Sequence, residues 1–171
     1  CADDDGDDNN ASVGAKQAPG TSCDDGNSNT NNDMIQSDGC TCAGTAPAQA
    51  AVGDFVFRDN NGNGIQDDGE PGIAGVFVLL TNVTTGVAQF AITGDDGLYL
   101  FSDLDPGDYT IKFAGQTNDL TTVDPGQGND PTKDSDYNPI NGITPVFTLV
   151  AGEVNMDIDA GFKPRNVEPT C

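Results

Sequence analysis

Histidine and tryptophan are absent from this sequence, and lysine plus arginine number 6 against 28 aspartates and glutamates. Each shortage excludes something. Without histidine there is no imidazole to serve as a general base or to complete a Cys/His zinc site. There is also no G-x-S-x-G nucleophile turn and no glycine-rich phosphate loop, so catalysis is not expected. The carboxylates are too numerous for any pair of them to signify acid–base chemistry. A formal net charge of -22 with no cluster of basic residues makes nucleic acid and anionic membrane poor partners, because both need lysine or arginine against phosphate. No apolar run approaches the roughly 20 residues of a membrane-spanning helix. The first residues carry neither the basic nor the apolar region of a signal peptide, so an exported form of this chain is expected to have lost its signal already. Aromatics make up only 6%, which leaves no visible platform for stacking sugars.

What is present divides unevenly. The 171 residues give room for one ordinary core and a smaller appendage. Residues 1–45 read as an acidic, cysteine-rich module, 46–52 as an Ala/Pro linker, 53–163 as a β-domain and 164–171 as a tail. The chain opens on a solvated block of aspartates, and in residues 23–45 only Met34 and Ile35 could enter a core. Such a segment needs covalent staples. Cys23, Cys40 and Cys42 lie together in a polar stretch, which favours disulfides over zinc and an oxidising compartment. The count of five is odd, and the unpaired one is expected to be Cys1 or Cys171.

From residue 54 onward, short runs of Val, Ile, Phe, Tyr and Thr alternate with Gly, Pro, Asn and Asp clusters. Seven strands are predicted, at 54–57, 76–81, 88–93, 98–101, 109–113, 145–150 and 154–158. Seven short strands in about 110 residues, with no helical period between them, point to an all-β, immunoglobulin-like sandwich. Tyr99, Phe101, Tyr109, Ile111 and Phe113 alternate with smaller or polar residues and are expected to face the core.

Residues 59–70 fit D-x-[DN]-x-[DN]-G-x5-E at every specified position, the pattern of a calcium loop. Asp59, Asn61 and Asn63 supply side-chain oxygens at alternate positions, and Gly64 permits the sharp turn. Ile65 offers a backbone carbonyl, Asp67 can act through water, and Glu70 closes the shell with two oxygens. The competing reading is an Asn-Gly-rich turn. The flanks are not helical: a strand pattern precedes the loop, and Pro71-Gly72 follows it. Calcium held here would fix geometry, with no helix pair to open.

The run Gly53-Asp54-Phe55-Val56-Phe57, followed by Asn61 to Val76, Gly97-Leu98-Tyr99-Leu100-Phe101, Leu104 to Tyr109, Asp134-Ser135-Asp136 and Ile158-Asp159-Ala160-Gly161-Phe162, resembles the SdrD B-like repeats of Gram-positive serine-aspartate adhesins. These are related to collagen-adhesin (Cna) B-type domains. The resemblance covers nearly two thirds of the chain. It implies a Cna-B/SdrD B-type sandwich that binds Ca2+ and spaces or rigidifies a surface protein. It also implies further calcium in the segment matching residues 130–138, where Asp134 and Asp136 are the first candidate ligands and Asp130 a third; a solvated acidic loop is the alternative. Some related domains carry a Lys–Asn or Lys–Asp isopeptide bond from the first strand. Here that strand has no lysine and is followed by Arg58, so metal is the expected reinforcement.

The segments Gly20 to Gly26 and Asp38 to Thr45 resemble cysteine-rich modules of large secreted bacterial proteins. That likeness implies pairing of Cys23 with Cys40 or Cys42, with Cys1 as a partner for the other. Asp24, Asp25, Asp33 and Asp38 form either a second cation site or a solvated face. A mature chain starting at Cys1 also resembles a processed lipoprotein, making Cys1 a candidate lipid anchor. Asn10 and Asn82 fit the N-glycosylation pattern. The expected function is a calcium-stabilised extracellular structural unit on a bacterial cell surface, a stalk bead or a fibre subunit joined to neighbouring copies. The competing function is an adhesin module that binds a host protein or a polysaccharide.

Overall fold

The structure, a computed structural model, describes residues 17–27, 30–114 and 120–164, and the side chains of 120–122 and 164 are left aside. Cys1, Asn10 and Cys171 lie outside the described residues. The chain separates into two units, Cys1–Ala48 and Gln49–Cys171.

In the first unit, β1 (Asn31–Ile35) and β2 (Cys42–Thr45) form an antiparallel hairpin in which Ile35 pairs with Cys42. Asp38 shapes its turn by accepting the Cys40 and Thr41 amides at 2.8 and 2.9 Å and the Thr41 hydroxyl. Ile35 is the one buried large hydrophobic among the described residues of this unit, and Met34 is exposed. Burying one side chain contributes about 2 kcal/mol, far below the entropy of ordering the backbone. A disulfide between Cys23 and Cys42 supplies the missing constraint, and Cys40 is disulfide-bonded as well. A crosslink across 19 residues contributes about 3 kcal/mol in the chain-entropy account. Reduction is therefore expected to unfold this unit while the second keeps its melting transition. Limited proteolysis with and without reductant should then cut residues 17–48 in the reduced protein only.

The second unit contains nine strands among its described residues: β3 (Ala50–Arg58), β4 (Phe77–Asn82), β5 (Ala88–Ile92), β6 (Leu98–Leu104), β7 (Gly107–Ala114), β8 (Leu120–Thr122), β9 (Phe147–Leu149), β10 (Val154–Asn155) and β11 (Ala160–Pro164). One sheet runs β10-β3-β11-β8, with β6 also paired to β3, and the other runs β5-β4-β7-β9. The core between them holds Val52, Val56, Val78, Leu80, Ile111, Phe113 and Phe162, with Tyr99 set edge-on to Phe113 at 5.7 Å. Tyr109 closes a corner by donating its hydroxyl proton to the Asp105 carbonyl at 2.7 Å.

All seven predicted strands have counterparts, with shifted ends. The first begins at Ala50, so residues 50–52, read as linker, belong to the domain. Ala50 and Val52 are fully buried against β6, a fit that small residues permit and that composition alone reads as a spacer. Four strands have no predicted counterpart: β1 and β2 in the first unit, and β8 and β11 in the second. β11 pairs in parallel with β3, a long-range contact with no local signature, and β8 is only three residues long. The alternating aromatics of β6 and β7 face the core as expected, but Phe77 and Phe90 do not. They stack on each other on the outer face of β4 and β5, with centroids 5.4 Å apart.

Candidate metal centre

The loop at 59–70 connects β3 to the segment leading into β4, and its side chains organise its own backbone. Asp59 is fully buried just beyond β3. Its Oδ1 accepts the Gly62 amide and, at 3.3 Å, the Asn63 amide, while Oδ2 accepts the Gly64 amide at 2.7 Å. Asn61 Oδ1 accepts the Asn63 N–H and Asn63 Oδ1 accepts the Ile65 N–H, each at 2.9 Å. Glu70 folds back so that Oε1 accepts the Asn60 amide at 2.7 Å and Oε2 the Asp67 amide at 3.2 Å. Both Asn side-chain amides donate to Asp67 Oδ2, at 2.7 and 2.8 Å. Gly64 has φ +78°, and a Cβ there would lie 2.5 Å from the Asp124 carbonyl oxygen, so only glycine fits.

The sequence-predicted ligands Asp59, Asn61, Asn63, Asp67 and Glu70 are thus gathered in one loop, with Ile65 beside them. All offer hard oxygen donors, the set calcium takes. Rotation of the two Asn amides would turn oxygen in place of nitrogen toward the Asp67 side. The loop is anchored to a distant segment: the Ser135 amide donates to the Gly64 carbonyl at 3.1 Å and the Gln66 amide to that of Lys133 at 2.7 Å. Ile65 also forms an isolated bridge with Asp134.

Beyond that anchor lies a second acidic cluster, most of it not identified in the sequence. Asp159, at the entrance to β11, is fully buried. Its Oδ1 accepts the Phe55 amide at 3.2 Å, and its Oδ2 finds no hydrogen-bond partner among the described residues. Asp136 Oδ2 accepts the Asp159 amide at 2.7 Å, and the Asp136 amide donates to the Asp159 carbonyl at 2.9 Å. Desolvation, then repulsion from Asp157, pushes Asp54 up to about 6. Desolvation, with Asp134, Asp157 and Asp54 adding repulsion, raises Asp136 to about 7. Burial raises Asp159 to about 8, reinforced by Asp54, Asp136 and Asp134. Burial also raises Asp134. Tyr99, buried in the same field, is held well above the usual phenol range, and its hydroxyl donates to the Ile158 carbonyl at 2.7 Å.

An ionised carboxylate oxygen kept from water without a donor costs several kcal/mol, so this arrangement demands a proton or a cation. Asp54 and Asp136 act on Asp159 through their charge, and Asp157 acts on Asp54 and Asp136, so a cation near the orphaned oxygen would relieve the repulsion. The missed residues did leave a signal. Asp157-Ile158-Asp159 repeats the D-x-D spacing of Asp134-Ser135-Asp136, whose two aspartates the resemblance marks as candidate ligands. Asp130, the third candidate, adds its repulsion to Asp134. It is exposed and holds its own turn, accepting the Thr132 amide and hydroxyl at 3.1 and 2.7 Å, contacts that lower its pKa.

In the first unit, Asp24, Asp25 and Asp33 each place an oxygen within 4.8 Å of the others, whereas Asp38 is engaged in its turn.

A family model described as SdrD B-like domain matches residues 50–162, from the first residue of β3 into β11. The chain belongs to the SdrD B-like domain family. The match starts where β3 starts, three residues before the Gly53 at which the sequence resemblance began. The serine-aspartate repeat-containing protein D of Staphylococcus aureus (strain Newman) is 42% identical over 114 residues, which is 65% of this chain and 8% of that protein. Serine-aspartate repeat-containing protein F of Staphylococcus epidermidis is 40% identical over 111 residues, 65% of this chain and 6% of its own length. This chain therefore spans under a tenth of these relatives. Among solved structures, GBS52, the minor pilin of Streptococcus agalactiae, superposes with a TM-score of 0.47 at 15% identity, covering 76% of this chain and 51% of that one. Among the described residues no helix is long and apolar enough to cross a membrane.

Proposed function

We propose that this SdrD B-like chain is a calcium-stabilised structural unit of a bacterial cell-surface protein, a stalk bead or fibre subunit whose rigidity depends on bound Ca2+. The observation that carries the reading is the orphaned Asp159 oxygen, in the field of Asp54 and Asp136, together with a calcium-type loop hydrogen-bonded to the same 133–136 segment. Calcium would supply positive charge and multidentate oxygen coordination at both places. Asp59, Asn61, Asn63, Asp67, Glu70 and the Ile65 carbonyl would hold the loop ion; Asp54, Asp136, Asp157 and Asp159 would hold the other, with Asp134 between the two groups.

The mechanical consequence follows from chain connectivity. The loop leaves β3, residues 133–136 precede β9, and Asp159 leads into β11, so ions at these points clamp three separate chain segments that otherwise repel one another. A surface module in a calcium-containing exterior can use modest affinity, because the surroundings supply the ion. Among the described residues no catalytic constellation competes with this reading.

Calorimetric titration of the cation-stripped full chain should find at least two Ca2+ ions per molecule. Glu70→Ala should remove one class of sites and Asp159→Asn the other, each lowering affinity at its own site at least about tenfold, in line with the loss of one charged ligand. Absence of heat and of bound Ca2+ by equilibrium dialysis would rule out the metal.

A further inference from the structure

The longest uncharged stretch of the sequence lies along one strip. From Pro71 to Gly94 there is no charged residue, in a chain of net charge -22. That stretch contains β4 and β5, and β5 is the free edge of its sheet, paired with β4 alone. The outward face there is apolar. Phe90 is 68% exposed and Ile92 61%, and Phe77, which pairs with Ile92, stacks on Phe90. β5 reads Ala-Gln-Phe-Ala-Ile, without the lysine, proline or inward charge that ordinarily blunts an edge strand.

We propose that β5 is a docking edge for a second copy of this chain, the two β5 strands pairing antiparallel about a two-fold axis near Phe90 to join two four-stranded sheets into one of eight. Charge selects the occupant. A basic partner would find no carboxylate on β4 or β5, while an acidic one would gain nothing. A neutral, extended, apolar edge is what this strip matches, and it is itself such an edge. Charge also selects the direction. The turn after β5 carries exposed Asp95 and Asp96, whereas the turn before it, 83–87, is uncharged. Antiparallel pairing sets each acidic turn beside the partner's neutral turn, while parallel pairing would bring four aspartates together. The contact is isologous, so it doubles the sheet and then stops, joining copies sideways. Two Phe90 and two Ile92 side chains with two five-residue edges make a contact at the small end of interfaces, where about 1,000 Å² marks stable association. It is weak between free molecules and is strengthened when copies are held at the millimolar effective concentrations of neighbouring tethered modules.

Sedimentation velocity of the full chain with calcium, from micromolar to millimolar protein, should show a reversible monomer–dimer equilibrium. The equilibrium should strengthen as salt screens the repulsion between like-charged copies. Hydrogen exchange should slow at β5 amides as concentration rises while β9 amides stay unchanged. Phe90→Lys should raise the dimer Kd about tenfold or more, as loss of a central aromatic anchor does. Val154→Lys, at an equally exposed apolar site on the other sheet, should leave it unaltered, and both variants should keep the parent melting midpoint. A monomer at all concentrations, a dimer indifferent to Phe90→Lys, or a β5 edge protected only by an added apolar peptide of another sequence would each overturn the proposal.

Discussion

Stripping divalent cations from the full chain is expected to lower the melting midpoint of the β-sandwich transition by about 15–25 °C relative to millimolar calcium. The size follows from mass action. An ion present at about 100 times its Kd stabilises the folded state by roughly 2.7 kcal/mol, and two such sites give about 5 kcal/mol. For a domain of this size each kcal/mol moves the midpoint by about 3–5 °C. The sandwich feels the loss because the ions would join segments that no hydrogen bond between side chains joins. In their absence Asp54, Asp136 and Asp159 face one another inside the fold with no basic residue beside them. Magnesium should restore only a small part, since it demands near-octahedral geometry and sheds water reluctantly, whereas loops of this kind suit the larger ion. Glu70→Ala should remove about half of the calcium-dependent gain and lower the chelated midpoint by a smaller amount, because Glu70 also accepts the Asn60 and Asp67 amides. Scanning calorimetry in calcium, magnesium and chelator decides the matter; coincident transitions in all three would eliminate metal stabilisation.

The division between what could be read from the sequence and what could not follows the range of the interactions. The 59–70 loop is local. Six ligand positions within twelve residues and a glycine at the sharp turn are written consecutively, and they fold on one another through bonds of two to ten residues' separation. The strands of β6 and β7 were equally plain, because burial of Tyr99, Phe101, Tyr109, Ile111 and Phe113 imposes alternation on contiguous residues. Asp54 and Asp159 were not legible as partners. They stand more than 100 residues apart, and β11 brings them together only by adding in parallel to β3. The outward stack of Phe77 on Phe90 escaped for the converse reason. Aromatic strand residues are usually core, and which face of β4 is inward is decided by its register with β7, where Val78 meets Phe113 and Leu80 meets Ile111.

The second large effect concerns pH and has the opposite sign from ordinary acid denaturation. In chelator, the midpoint is expected to fall as pH rises from about 4 to 8. Asp54, Asp136 and Asp159 titrate near 6, 7 and 8 in the folded protein, above the roughly 3.9 of an unfolded aspartate. Between those values the folded state holds more protons than the unfolded one, so stability decreases with pH. The stabilisation is complete below the unfolded value and is lost as pH passes through 6, 7 and 8 in turn. Asp159 alone, moving about four units, corresponds to on the order of 5 kcal/mol, and protonating one member relieves the others, so the three do not simply add. Calcium should cancel the slope by taking the place of the protons. The gap between calcium and chelator should therefore be small near pH 4 and widest near pH 8, with protons released on binding. Asp159→Asn gives the sharpest reading. Without the buried charge the variant should melt above the parent in chelator at pH 8, by several degrees, and below it in calcium, where a ligand is missing. That crossing separates a metal ligand from a residue that matters only for packing, which would lower the midpoint under both conditions. A chelated midpoint that climbs from pH 4 to 8, or an Asp159→Asn midpoint lowered in chelator and calcium alike, would refute the cation site around Asp159.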